Sequence, residues 1–316
     1  MFAPKDKLYT RIDLKRYAVI PVWYGCNSSC TICMLSKIKG KLGNVDFDTF
    51  SRLVTALVND GRYDNLILSG AEITTFDHIE HYARYAASFR RFKKIQIQTN
   101  GRKLADKEYL RKLVDAGVNE FFVSIHGQED IHDAITRTPG SYAATMEGIV
   151  NLAKFPVNVI TNTVLTSFNY HNIVSLLGEL CSAPVSEMHL WNFFPMEKND
   201  RRDLVVSMSD LVALFPGIMS VIGPSGKSLV LKGFPECLSP GAPCFISSDF
   251  PLNLIQDDFW SEFAENGFGT CIYKDRCCAR ECWGLSSAYI EKYGDERDLL
   301  SPITDNGMAS ASGVHG

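Results

Sequence analysis

The fold is decided by the stretch Tyr17-Ala18-Val19-Ile20-Pro21-Val22-Trp23-Tyr24-Gly25-Cys26-Asn27-Ser28-Ser29-Cys30-Thr31-Ile32-Cys33. Its opening run, Tyr17 to Trp23, is apolar and β-like. Cysteines then follow with the spacing C-x3-C-x2-C, which places them in the loop leaving a first strand. Three thiolates this close can hold one metal centre together. A structural zinc site takes four protein ligands, and a cubic iron–sulfur cluster has four irons, so one corner is left open. An open corner is a place for a substrate or cofactor; a plain zinc loop is the bland alternative.

Outward from that loop the chain alternates. Asp46 to Asn59 reads as a helix, with Phe47, Phe50, Leu53, Val54, Leu57 and Val58 on one side. Asn65 to Ser69 is a short strand ending in Ser69-Gly70-Ala71-Glu72, and Asp77 to Phe89 is helical. Lys94 to Gln98 is a strand closing at Thr99-Asn100-Gly101. The helix Ala105 to Ala116 follows and ends on Gly117. Glu120 to Ile125 is a strand running into His126-Gly127, and a broken helical stretch reaches Leu152. The strand Val157 to Leu165, the helix Tyr170 to Cys181 and the strand Glu187 to Phe194 complete the series.

Strands alternating with helices imply a parallel sheet with helices outside. Six such units are too few for a full barrel. The expectation is an α/β fold, a partial (β/α)6 TIM-like barrel, with a small cysteine-rich C-terminal extension. Residues 1–16 form a lead-in, 17–196 the barrel, 197–300 an auxiliary-cluster or substrate region, and 301–316 a disordered tail. Ligands in such sheets sit at the carboxyl ends of the strands. The loops beginning at Cys26, Ser69, Thr99 and Ser124 all fall there.

Composition agrees. The chain has 316 residues, 46% of them hydrophobic, which is ample for a large core. A net charge of −4 without a basic run argues against a nucleic-acid partner. No stretch approaches a membrane span, and residues 1–7 lack a signal-peptide core, so the expected compartment is the cytoplasm. Thiols stay reduced there, so ten cysteines point to metal or catalysis rather than disulfides. Cys237, Cys244, Cys271, Cys277, Cys278 and Cys282 form a second group. Cys181 stands alone at the end of an apolar helical pattern and reads as a packed core thiol.

These residues resemble the radical S-adenosylmethionine (SAM) enzymes, whose hallmark is a C-x3-C-x-Φ-C loop after the first strand of a partial barrel. Cys26, Cys30 and Cys33 match it, with Ile32 where an aromatic is usual. Ser69-Gly70-Ala71-Glu72-Ile73 stands where the family reads Gly-Gly-Glu-Pro. The resemblance implies a [4Fe-4S] cluster on Cys26, Cys30 and Cys33, with SAM chelating the open iron. An electron from the reduced cluster would cleave SAM, and the 5′-deoxyadenosyl radical so formed would take hydrogen from a substrate. It also implies that Gly70, Ala71 and Glu72 meet the SAM amino group. Asn100 belongs to the third-strand signature. Ser124 and Arg137 would hold ribose or carboxylate, and Asn162 and Leu190 would lie near ribose and adenine. The bland readings are an ordinary βα turn for Ser69–Glu72 and Asn100-Gly101, loop or cap roles for Ser124 and Arg137, and core for Leu190. His132 reads as structural, and Trp191 and Phe193 as core or pocket wall.

The C-terminal cysteines resemble the auxiliary-cluster extensions of the same superfamily, of SPASM or twitch type. Cys271, Cys277, Cys278 and Cys282 are the candidate ligands of that auxiliary iron–sulfur cluster. Cys237 and Cys244 are candidates for a free thiol that returns hydrogen to a substrate radical. The resulting expectation is an enzyme that dehydrogenates, epimerises or couples a small-molecule substrate of sugar, aminocyclitol or nucleoside type. Its electron donor would be a flavodoxin or ferredoxin. The alternatives are a maturase of a ribosomal peptide and, in another class, a non-catalytic iron–sulfur or zinc protein.

Overall fold

The computed structural model describes residues 13–238, 245–279 and 281–304. Eight strands lie in one sheet, ordered β7-β6-β5-β4-β3-β2-β1-β8, and every neighbouring pair is parallel. They are β1 (Tyr17–Trp23), β2 (Asn65–Gly70), β3 (Lys94–Thr99), β4 (Glu120–Ser124), β5 (Asn158–Leu165), β6 (Glu187–Asn192), β7 (Ser228–Lys232) and β8 (Leu252–Asn253). The helices are α1 (Phe47–Asp60), α2 (Ile79–Ser88), α3 (Lys107–Asp115), α4 (Glu129–Thr136), α5 (Ser141–Leu152), α6 (Ile173–Ser182), α7 (Met208–Ala213), α8 (Phe215–Ser225), α9 (Asp257–Ala264) and α10 (Ser287–Tyr293).

The helices begin where short polar side chains satisfy free N–H groups. Asp46 accepts from the Thr49 N–H at α1, Asp106 from Glu108 and Tyr109 at α3, and Ser286 from Tyr289 at α10. Each strand then divides its side chains between two faces. Ala18, Ile20, Val22, Leu66, Leu68, Ile97, Phe121 and Val123 go outward into one core with Phe50, Val54, Ile79, Leu110 and Ile149 of the helices. The other parity faces the barrel interior.

At the amino ends of the strands that interior is sealed by polar bonds. Glu120 is fully buried and accepts from Tyr17 Oη (3.1 Å), Gln96 Nε2 (2.8 Å) and Asn158 Nδ2 (2.6 Å), while pairing with Lys94. A buried carboxylate persists only with partners of this kind. The open end of the barrel is therefore the one carrying the cysteine loop.

The expected six-unit barrel is present, and the sheet is larger than expected. Ser228–Lys232 extends it beyond β6, and two residues of β8 pair with β1. β7 has only Leu229 and Leu231 on its core face, too short a signal to separate from loop. β8 exists only because a distant segment arrives beside β1. Cys181 is half-buried against the core, as expected. Ile303 holds residues 301–304 to the cysteine region: its N–H approaches Cys277 Sγ, and its carbonyl accepts from the Cys278 N–H. That part of the expected tail is therefore fastened, and the remainder lies outside the described residues. Among the described residues no helix is long and apolar enough to cross a membrane.

Candidate active site

The loop after β1 is fastened on several sides. The Ala71 N–H donates to the Trp23 carbonyl (2.8 Å) and the Glu72 N–H to the Gly25 carbonyl (2.9 Å), so the exits of β1 and β2 are joined. Gly70 permits this approach. Its φ is +142°, and a Cβ there would stand 1.9 Å from the Trp23 carbonyl oxygen. From β3, Asn100 Nδ2 donates to Asn27 Oδ1 (2.8 Å), and Arg102 Nη2 donates to the Asn27 carbonyl (2.5 Å) and Ser28 Oγ (3.0 Å). The Thr31 N–H donates to the Ile135 carbonyl at the end of α4 (2.8 Å), and Arg202 donates to the Thr31 carbonyl. The turn Cys33 N–H to Cys30 carbonyl (3.2 Å) brings the last two cysteines together.

Burial pushes the Cys30 thiol up to about 12, with the neighbouring Cys33 and Cys26 adding to it, and burial also raises Cys26. Thiolates here need compensating positive charge, which a metal centre supplies. Among the described residues no three His, Cys, Asp or Glu side chains gather closely enough for a single metal ion.

The other sequence candidates fall into distinct places. Glu72 is 1% exposed, with its carboxylate committed to protein donors. Oε1 accepts from the Thr74 N–H (3.0 Å), Thr74 Oγ1 (2.6 Å) and Thr99 Oγ1 (2.6 Å), and Oε2 from the Asn100 N–H (2.6 Å). Gly70 and Ala71 instead offer backbone at the strand end. Ser124 ends β4 on the inward parity, and the parallel register carries it to Asn162 and then to His189. Asn162 Oδ1 is buried without a protein partner. An orphaned acceptor in that row suits a hydroxyl-bearing group such as a ribose. Arg137 is exposed just past α4, two residues beyond the carbonyl that holds Thr31. Leu190 corrects the expectation. It is 1% exposed on the outward parity, within the helix-facing core, and the inward residues of β6 are its neighbours His189 and Trp191.

A cavity of about 790 Å³ opens at this end of the barrel. Ile32 and Met34, which flank Cys33, form one side of it, and Cys282 and Trp283 form another. Phe250 and α9 provide further wall. Trp283 stacks on Phe250 at 4.4 Å and meets Trp191 edge-on. Leu35, Ile38 and Leu42, just after the cysteine loop, pack with Phe194, Met196, Phe259 and Phe263 into a second apolar cluster over it.

The C-terminal cysteines are also brought together. Cys237 lies within electrostatic reach of Cys282, Cys271 and Cys277. Cys282 Sγ accepts the Glu236 and Gly284 N–H groups, Cys271 Sγ the Tyr273 N–H, and Cys277 Sγ the Ile303 N–H, all at 3.4 Å. Such N–H bonds to sulfur set the potential of iron–sulfur clusters. Burial raises the Cys237 and Cys282 thiols. The expected separation between a catalytic Cys237 and a ligand set is thus not what the fold displays: Cys237 sits with the ligand candidates, and Cys282 faces the cavity. Cys244 lies outside the described residues.

Arg102, Arg202 and His189 escaped the sequence reading. Their partners lie 75, 171 and 2 residues away. Only His189 had a legible signal, since strict alternation along β6 puts it on the same face as Trp191.

A model of the Radical SAM superfamily matches residues 20–180, half of the chain, and the chain belongs to that superfamily. Membership implies a [4Fe-4S] cluster and SAM as cofactors. Solved structures share the fold. SuiB of Streptococcus suis bound to the precursor peptide SuiA superposes with a TM-score of 0.55 at 14% identity, over 67% of this chain and 47% of that one. The chain therefore spans about half the length of that protein. Native anSMEcpe with bound AdoMet gives a TM-score of 0.60 at 16% identity over 94% of both chains. HydG, a maturase of the [FeFe]-hydrogenase, gives 0.54 at 11% identity over 79% of this chain and 54% of that one. Identities this low show the fold alone. No curated protein matches the sequence.

Proposed function

We propose that Cys26, Cys30 and Cys33 hold the [4Fe-4S] cluster, with SAM bound at the strand ends beside it, and that the substrate occupies the aromatic cavity. The observation that carries this reading is the cavity's position, with Ile32 and Met34 beside Cys33 on one side and Cys282 on the other. Bound there, SAM would supply the radical chemistry by which hydrogen is taken from the substrate. The chain's own part is to hold, orient and exclude water. Gly70 and Ala71 bring backbone to the SAM amino group. Ser124 and Asn162 would receive the ribose, and Arg137, two residues beyond the Ile135 carbonyl that holds Thr31, would balance the carboxylate. The cluster of Leu35, Ile38, Phe259 and Phe263 covers the site.

Cys271, Cys277, Cys278 and Cys282 are the ligand set proposed for an auxiliary cluster, with Cys237 beside them as a further candidate. An auxiliary cluster at the cavity wall is positioned to take the second electron in a dehydrogenation. That reaction, on a ring-shaped small molecule of sugar, aminocyclitol or nucleoside type, is the preferred outcome, with epimerisation and C–C coupling as the other members of the class. A flavodoxin or ferredoxin would supply the electron. A second reading, a ribosomal-peptide substrate, draws on the exposed rim aromatics Phe250, Trp260 and Phe268 and on SuiB, whose structure holds a precursor peptide.

Anaerobic reconstitution with iron and sulfide, followed by SAM and dithionite, should yield 5′-deoxyadenosine. None above background in repeated preparations sinks the enzyme reading. The triple variant Cys26→Ala, Cys30→Ala, Cys33→Ala should retain about half of the iron. In that background single Ala variants of Cys237, Cys271, Cys277, Cys278 and Cys282 identify the ligands as those whose loss removes the remaining iron, and no loss from any of them sinks the auxiliary-cluster reading.

A further inference from the structure

The inner face of β6 presents Glu187, His189 and Trp191 in turn. His189 Nε2 meets Glu187 Oε1 at 2.5 Å, and the two side chains are 5% and 7% exposed. A buried carboxylate at that distance takes the Nε2–H. In the neutral ring the other nitrogen, Nδ1, is then the acceptor. Among the described residues Nδ1 has no hydrogen-bond partner, yet it is not one of the buried atoms left without a partner. It is therefore reached from the cavity that His189 lines. The ring stands nearly perpendicular to Phe122, with centroids 5.1 Å apart.

The surroundings are aromatic. Phe122, Trp191, Phe250 and Trp283 line the same cavity, and aromatic faces favour flat or ring-shaped apolar surface. A mostly apolar cavity gains its orientation from a few well-placed polar groups. We infer that His189, oriented by Glu187, is a specificity-determining residue that accepts a hydrogen bond from an O–H or N–H on the buried edge of a ring-bearing substrate. The Glu187 carboxylate fixes the tautomer, so the cavity offers an acceptor at this point and discriminates against a ring without a donor. This rests on reading the cavity as the substrate site.

Matched probe pairs test it on the reconstituted full-length protein. p-Cresol and toluene differ in one hydroxyl on a flat ring, as do cyclohexanol and methylcyclohexane on a saturated one. Equilibrium binding by ligand-observed NMR should show the hydroxyl member of at least one pair bound roughly tenfold more tightly, and which pair responds tells flat from saturated substrates. His189→Phe, which keeps a ring and loses the acceptor, should bring that ratio close to one. His189→Gln should restore part of it. If His189→Phe does not fold, Glu187→Gln should lower the ratio by freeing the tautomer. An equal ratio in wild type and variant, a preference for the hydrocarbon, or no binding of any probe at millimolar concentration overturns the inference. Wild-type 5′-deoxyadenosine formation on the same preparation reports separately on the enzyme reading, so the two failures are distinguishable.

Discussion

Replacing Glu72 with Gln should cost stability before it costs catalysis. The carboxylate takes four donors from the Thr74 and Thr99 hydroxyls and the Thr74 and Asn100 N–H groups, at 2.6 to 3.0 Å, and is 1% exposed. A Gln that keeps its oxygen among the three Oε1 donors must turn its NH2 toward the Asn100 N–H. That leaves two donors face to face and weakens the remaining bonds by removing the charge. Losing one charge-assisted bond and leaving one buried N–H unmet costs about 2–4 kcal/mol, counted once for the shared bond. At roughly 2–4 °C per kcal/mol this lowers the first thermal transition by some 4–16 °C. The assay is thermal unfolding of the reconstituted protein followed by circular dichroism, with SAM affinity measured on the same sample at a temperature well below the transition. Full stability together with a tenfold or greater loss of SAM affinity would refute the reasoning, because the carboxylate would then meet the cofactor rather than brace the loops.

Two further outcomes follow from the structure. Burial lowers the His126 and His132 imidazoles to about 3 and about 4. The unfolded chain therefore binds more protons below its ordinary histidine pKa of about 6.5. Stability should be flat above that pH and fall as pH drops toward 4, by up to about 1.4 kcal/mol per pH unit for each histidine. Urea midpoints at pH 7, 6 and 5 should show this fall, and a flat profile contradicts it. Arg102→Ala removes the side chain that clasps the Asn27 carbonyl and Ser28 Oγ, and with it a positive charge within electrostatic reach of Cys30. Iron retention under chelator challenge should drop, and the reduction midpoint of the cluster proposed on Cys26, Cys30 and Cys33 should move down. Unchanged values on both measures make the clasp irrelevant.

Much of this was legible because it is written in neighbours. The alternation of short apolar runs with amphipathic helices located β1 through β6, and the spacing of Cys26, Cys30 and Cys33 pointed to the superfamily that residues 20–180 match. What stayed hidden depends on where distant segments arrive. The Asn27 carbonyl and Arg102 are 75 residues apart, and nothing in either sequence neighbourhood announces the other. Leu190 shows a subtler limit. The strand was recognised, yet a one-residue slip in parity sends a side chain from the cavity to the helix layer, and only the register with β5 decides it. Glu72 shows the reverse case, where the residue was singled out and its four protein donors were not.

Between the two outer strands of the sheet runs a feature of another kind. Ile246 bridges to Leu231 on β7, and Leu252 and Asn253 pair with β1. The Lys232 ammonium reaches across to Ser247 Oγ and the Asp249 carbonyl. A short strap thus joins the two edges. A fully closed barrel has its girth set by strand number and shear. Here the circumference at the mouth depends on a two-residue pairing, with Phe250 and Pro251 riding on it. Opening motions will concentrate at that seam, where few backbone bonds must break, so amide exchange at Leu254 should outpace that of β2 to β5. The mouth is thus fastened like a cuff with a clasp, two paired residues on the strand that leads into the cysteine loop.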